Sequence, residues 1–180
     1  MSYVLVNSSS LRPAEQAACE IKVKLQTHFE EDVLIVSDFM SETARGQALY
    51  REIQMPSVRT ARAMEIILEQ RKAILQCLVA PAVAKGTRVL YVGGILDDSR
   101  YAKIMEFHDI LKANQEALAE LGDLAQPLGA VYAKHTLDLP NVSRGYYKRA
   151  DRLMGNKAGM KLVNYDQAHA TLIKIHSLFP

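Results

Sequence analysis

YVLVNSSSLRPAEQAACEIKVKLQTHFEEDVLIVSD, residues 3–38, holds the pattern that decides the fold: a β-favouring run, a helix-patterned stretch and a second β-favouring run. The whole chain contains five such β-favouring runs, at residues 3–7, 33–38, 88–93, 130–135 and 161–164. Parallel strands need crossover connections, and these are usually α-helices. The alternation therefore predicts one α/β domain over residues 1–180, a doubly wound, mostly parallel five-stranded sheet with helices on both faces.

The helix-patterned stretches carry apolar stripes at spacings of three and four residues. The stripe of the first helix comprises Ala14, Ala17, Ala18, Ile21, Leu25 and Phe29. A later helix carries Ile74, Leu75 and Leu78 on its stripe and should end before Pro81, whose ring would collide with the preceding turn. The apolar second strand is expected near the middle of the sheet.

Composition limits the function classes. A chain of 180 residues, 49% of them hydrophobic, can bury an ordinary core without metals or disulfides. The net charge of +2 is too small for a global nucleic-acid or membrane role. Cys19 and Cys77 lie in helical stretches without metal-ligand spacing, so we expect reduced thiols at core or boundary positions. With neither a signal sequence nor an apolar run long enough to span a bilayer, we expect a cytoplasmic protein.

A ligand edge follows from the strand pattern, because ligands of open parallel sheets bind beyond the carboxyl ends of the strands. The loop after the first strand is Ser8-Ser9-Ser10-Leu11-Arg12. Its hydroxyls, backbone N–H groups, helix start and guanidinium could together hold a phosphate. The alternative is that the serines only cap the helix.

This serine-rich loop resembles that of the flavodoxin-like NAD(P)H-dependent flavin and quinone reductases, over about the first 40 residues. The resemblance implies a flavodoxin-like or Rossmann-like sheet, with Ser8, Ser10 and Arg12 as contacts of an FMN phosphate. It also implies an FMN-dependent oxidoreductase, in which the flavin supplies the hydride chemistry. No catalytic side chain is then required.

Gly93-Gly94, after the third strand, would let a ligand approach the backbone closely, or would simply form a tight turn. With Ser8, Ser9, Ser10 and Arg12, the two glycines complete the predicted cofactor site. Neither GxGxxG nor GxxxxGK[ST] occurs after the first strand, which disfavours classical dinucleotide and P-loop binding.

Polar residues at other strand ends are further candidates. His135 could donate or accept a proton with Asp138 nearby, or could be a satisfied polar residue, and the catalytic residues are otherwise unknown. Asp38 and Asp166 are expected to cap the helices that follow them. The five histidines show no metal-ligand spacing, so no metal is expected.

A basic segment supports an alternative function. Residues 144–161 contain six basic residues against the single acid Asp151, and residues 97–123 are correspondingly rich in acids. A nucleic-acid or protein partner would meet a helical face formed by Arg144, Tyr147, Lys148 and Arg152. This alternative is a non-catalytic binding or assembly protein, and the opposite charges make a homo-oligomer conceivable. The other interpretation is two solvated helix faces.

Overall fold

The structure is a computed structural model that describes residues 3–8, 11–37, 69–92, 127–133 and 161–179. Its five strands are β1 (Val4–Ser8), β2 (Val33–Ser37), β3 (Arg88–Val92), β4 (Gly129–Ala133) and β5 (Lys161–Tyr165). All neighbouring strands run parallel in a single five-stranded sheet. The predicted parallel α/β sheet is confirmed.

The strand order is β2-β3-β1-β4-β5, with β1 at the centre. Val4 of β1 pairs on one side with Leu90 and on the other with Gly129, and all five β1 residues are buried. Flavodoxin-like sheets have the order 2-1-3-4-5, so β1 and β3 are exchanged relative to that arrangement. The expectation that the second strand lies near the middle is wrong, because β2 forms an edge. An apolar run indicates that helices cover a strand, which can happen anywhere in the sheet.

One face of the sheet is covered by α1 (Leu11–Phe29) and α3 (His169–His176). The predicted α1 stripe is confirmed, because Ala14, Ala17, Ala18, Ile21 and Leu25 are buried and Phe29 packs against the same core. From α3 and the turn after it, Leu172, Ile175 and Phe179 join this core. These side chains pack on Val4 and Val6 of the central strand.

The other face is covered by a helical segment that precedes β3. It consists of residues 69–74, a π-helical turn (Leu75–Val79) and α2 (Ala80–Ala84). Ile74, Leu75 and Val79 pack there with Tyr3, Leu5 and Tyr91. Helices on both faces confirm the doubly wound prediction.

The π turn explains two errors of the sequence analysis. The Ala80 N–H donates to the Leu75 carbonyl, five residues back, so the coil holds one extra residue. As a result Val79 is fully buried, whereas Leu78, predicted in the core stripe, is 41% exposed. The helix also continues past Pro81, because Pro81 occupies the first turn of α2, where its missing N–H is not needed.

Gly86 ends α2 in the left-handed region, with φ of 82°. The Gly86 N–H donates to the Val83 carbonyl and the Thr87 N–H to the Ala82 carbonyl, which is the Schellman arrangement. The chain then enters β3. Glu30 follows α1 with φ of 55°, a conformation that glycine adopts with less strain.

An ion-pair cluster lies at the amino edge of the sheet, opposite the predicted ligand edge. Arg88 donates from Nε and Nη2 to the two carboxylate oxygens of Glu31, each at 3.0 Å. The His176 Nε2 lies 3.3 Å from Glu31 Oε1, and the His176 ring stacks on Phe29 with centroids 4.1 Å apart. The hydrogen bonds from Arg88 lower the pKa of Glu31, against an opposing effect of burial. The cluster thus joins β3, the start of β2 and the end of α3.

The cysteine positions differ from the expectation. Cys19 and Cys77 are free thiols, but both are exposed rather than in the core or at its boundary. Cys19 lies beside the buried α1 stripe instead of on it, and Cys77 lies on the outer side of the π turn. Their apolar character alone did not indicate which way they face.

Candidate functional site

The strand order places β1 at the centre of the carboxyl edge. The connection that leaves β1 leads toward β2 at one side of the sheet, and the connection that leaves β3 leads across to β4 at the other. Because β1 and β3 are neighbours and their connections lead to opposite sides, a ligand crevice is expected beyond their carboxyl ends. The strand-end residues of β1 therefore belong to the candidate site.

Ser8 ends β1 inside the core rather than in a loop, one residue later than the sequence analysis placed the strand end. Its side chain shares a face with Val4 and Val6, which lie under α1. Ser8 is 8% exposed, and its Oγ has no hydrogen-bond partner within the described residues. A hydroxyl buried without a partner costs about 1–3 kcal/mol, so a hydrogen-bond partner from outside the described residues, such as a ligand atom, would stabilise Ser8.

The amino end of α1 lies beside Ser8 in the chain. α1 begins at Leu11, runs for 19 residues and has no acidic residue in its first turn. The helix dipole and the first N–H groups are therefore not offset by a carboxylate there, and they favour an anion. Arg12, predicted as a phosphate contact, lies in this first turn.

A second group of buried polar residues lies on the opposite face of the same edge. Asn7 pairs in register with Tyr132 of β4, and the two side chains point to one face at exposures of 0% and 5%. Gln70 and Arg71, in the helical segment that covers this face, are also buried. Each of these four residues has an interaction partner.

Helix direction places Gln70 and Arg71 near the carboxyl edge. The segment that contains them leads back to the start of β3 at the amino edge, so it runs antiparallel to the strands. From Gln70 to Ala84 it rises about 20 Å, whereas a five-residue strand spans about 17 Å. Gln70 and Arg71 therefore lie level with the strand ends.

Arg71, which is 3% exposed, was not among the site residues predicted from the sequence. A signal was present, because Arg71 lies three and four residues before Ile74 and Leu75, on the predicted core stripe. A cation on a core stripe is rare and is normally paired. Gln70 gave no comparable signal.

The end of β5 is linked to α1 by polar contacts. Tyr165 Oη donates to Glu20 Oε2 at 2.6 Å, and Lys24 Nζ donates to the Gln167 carbonyl at 3.1 Å. The bond from Tyr165 is the main reason that the pKa of Glu20 is lowered, while burial and then this bond raise the pKa of Tyr165.

Asp166 was expected to cap the helix that follows, but the N-cap residue of α3 is Ala168, which has no side-chain cap hydrogen bond, and Asp166 precedes it by two residues. The Asp166 Oδ1 accepts the Ala168 N–H at 2.9 Å, just before α3. A hydrogen bond from Thr171 and then the one from Ala168 lower the pKa of Asp166. The polar side chains of Tyr165 and Asp166, at the carboxyl end of β5, therefore make contacts within the protein.

Several predicted site residues lie outside the described residues: Ser9, Ser10, Asp38, Gly93, Gly94, His135, Asp138, Arg144, Tyr147, Lys148 and Arg152. The last residue of the basic segment, Lys161, is exposed at the start of β5. Within the described ranges, no three His, Cys, Asp or Glu side chains are grouped to hold a metal ion. Of the helices in that part of the chain, none has the length and apolar character needed to cross a membrane.

Comparison with known proteins adds information on the fold. No protein-family model and no curated protein sequence matches the chain. Among solved structures, it is similar to thymidylate kinase from Ehrlichia chaffeensis, with a TM-score of 0.63 and 10% identity. The match covers 99% of this chain and 97% of the kinase chain. At this identity the similarity is one of fold, so what the chain shares with the thymidylate kinase is an α/β fold.

Proposed function

We propose that this protein binds a phosphate-bearing small molecule, a nucleotide or a nucleotide-like cofactor, beyond the carboxyl end of β1. The observation that carries the proposal is the buried Ser8 hydroxyl, which has no hydrogen-bond partner among the described residues and lies beside the start of α1. A phosphate oxygen there would accept a hydrogen bond from the Ser8 hydroxyl and face the positive end of the helix.

The second side of the proposed site is the buried polar group of Asn7, Tyr132, Gln70 and Arg71. Arg71 brings a positive charge to the edge, and a guanidinium fork fits phosphate oxygens. The base or ring of a nucleotide would occupy the crevice between the two groups. The fold shared with a thymidylate kinase supports a nucleotide as the ligand class.

The chain differs from a P-loop enzyme at the point where the chemistry would be expected. GxxxxGK[ST] normally joins the first strand to its helix, whereas this chain has Ser8-Ser9-Ser10-Leu11-Arg12. The lysine that would reach the outer phosphates is therefore missing from the motif. We propose binding at this loop and assign no phosphoryl transfer to it.

FMN is the flavin version of the same proposal and follows from the resemblance of the serine loop to flavin reductases. It uses the same β1 edge, because both versions place a phosphate between a first strand and its helix. A yellow protein after purification, or uptake of added FMN, would support this version. A colourless protein that binds a nucleotide but not FMN would leave the nucleotide version alone.

The test is equilibrium binding of thymidine monophosphate, ATP, FMN and inorganic phosphate by calorimetry at fixed salt. We expect Ser8→Ala to weaken binding by roughly tenfold or more, since a hydrogen bond to a charged group contributes about 1.5–3 kcal/mol. Ser37→Ala is the matched control, because Ser37 is equally buried but ends the edge strand β2. Absence of binding to all four probes, or equal losses in the two variants, would refute the proposal.

A further inference from the structure

His28 and His169 lie 141 positions apart in the chain, yet their imidazole rings are in contact on the protein surface. The ring centroids are 5.4 Å apart and the ring planes are inclined by 73°. His28 belongs to the last turn of α1, and His169 is the first residue of α3. Both side chains are exposed, so an ion from solvent can reach them.

The separation suits a shared metal ion. A nitrogen ligand lies about 2.0–2.1 Å from Zn²⁺, so two imidazoles on one tetrahedral ion have ring centroids roughly 5 Å apart. The observed distance is close to this value. Exposed side chains rotate on the picosecond to nanosecond timescale, so the two rings can leave their edge-to-face contact and direct a nitrogen of each toward one ion.

The backbone that leads to each histidine is fixed by neighbouring contacts. Tyr165 is bonded to Glu20, and Gln167 is bonded to Lys24, one helical turn before His28. The two histidines are therefore held opposite each other by contacts that do not involve their own rings.

The local electrostatics favour a cation at His28. The carboxyl end of a helix carries partial negative charge, and His28 lies in the last turn of α1. The acids Glu30, Glu31 and Asp32 follow directly in the chain. Lys24, the nearest cation along α1, has its ammonium on the Gln167 carbonyl.

We propose that His28 and His169 form a binding site for a divalent transition metal of the class that imidazole prefers, with Zn²⁺ as the first candidate. Two protein ligands leave coordination positions for water, so the site is open and weaker than a four-ligand structural site. Its effect is to cross-link α1 to α3, which fastens the last helix to the sheet. The site is separate from the carboxyl-edge ligand site and does not depend on it.

The test uses Zn²⁺ alone, with the full chain, in calorimetry and thermal unfolding at neutral pH. We expect one ion per chain and a Tm that rises with Zn²⁺ concentration, because a ligand that binds only the folded state stabilises it. His28→Gln and His169→Gln should each weaken binding by roughly tenfold or more. His176→Gln, in a histidine that contacts Glu31 instead, should leave the affinity unchanged.

A second measurement needs no variant. Zn²⁺ titrated into the wild-type chain should shift the ring proton signals of two histidines together in the NMR spectrum, and these should be the signals of His28 and His169. No binding by the wild-type chain, binding lost only in His176→Gln, or shifts confined to other histidines would each overturn the proposal.

Discussion

Tyr165, the last residue of β5, donates its hydroxyl to the Glu20 carboxylate of α1 at 2.6 Å. The bond joins the end of the last strand to the middle of the first helix, across nearly the whole sequence. It is followed along α1 by the Lys24–Gln167 contact and the His28–His169 pair. The segment that follows β5 therefore runs beside α1 and contacts it once in every helical turn.

Tyr165→Phe should raise the pKa of Glu20, because the Tyr165 bond is the main cause that lowers it. The loss should also reduce stability at pH 7 by about 1 kcal/mol. An NMR titration of the Glu20 side chain gives the pKa. A double-mutant cycle with Glu20→Gln gives the coupling, and an additive cycle would contradict the contact.

Arg88→Leu should destabilise the protein at pH 7 by about 1 kcal/mol, because it removes both hydrogen bonds to Glu31. These bonds lower the folded-state pKa of Glu31 below its ordinary value of 4.5, so their stabilisation is present above that pH. It is lost as the pH falls through the folded-state pKa. The stability difference between wild type and variant should therefore be smaller well below pH 4.5 than at pH 7.

Urea unfolding at the two pH values measures this change. Lys85→Met is the control, because it removes the same charge at an exposed position. An equal loss of stability in Lys85→Met would mean that net charge, and not the Glu31 contact, is responsible.

Gly129→Ala should destabilise the protein by about 1–3 kcal/mol through overpacking. A Cβ at Gly129 would lie 2.9 Å from Leu178 Cδ2 and 3.0 Å from the Lys161 carbonyl oxygen. Leu178→Ala should relieve only the first contact, so the double variant should recover part of the cost of Gly129→Ala. Denaturation midpoints check this. A neutral Gly129→Ala would show that β4 and β5 can separate freely.

Glu30→Gly should stabilise the protein by about 1 kcal/mol, because Glu30 has a φ of 55°. The same substitution inside α1, Gln26→Gly, should destabilise by about 1 kcal/mol, since glycine disfavours helix interiors. The two thermal unfolding midpoints should therefore move in opposite directions. Two shifts of the same sign would exclude the backbone explanation.

The sequence predicted what depends on local pattern. The α1 stripe from Ala14 to Leu25 was correct because helical periodicity is local. The cap expected at Asp166 was wrong in position, because α3 begins only at His169, with Ala168 as its N-cap residue. The position of β2 was not predictable, because strand order depends on where crossovers land and not on the apolar run itself. The burial of Val79 instead of Leu78 could not be predicted, because a π-helical turn has no clear sequence signature.

The candidate site was predictable in part. The β1 edge followed from the parallel sheet, and Ser8 was named from it. The burial of Ser8 and the opposite polar group could not be foreseen, because they depend on the strand end and on the helix that covers the other face. Arg71 on a core stripe was the one readable signal for that group. The meeting of His28 with His169 depends on tertiary packing alone.

The central position of β1 has a consequence for how the chain folds during its synthesis. Val4 emerges from the ribosome well before its partners Leu90 and Gly129. Until β3 and β4 have been synthesised, β1 lacks both neighbouring strands, and its apolar side chains are exposed to contact with other protein chains. Assembly of the sheet must therefore wait for distant segments, which makes folding slow and makes truncated products prone to aggregate.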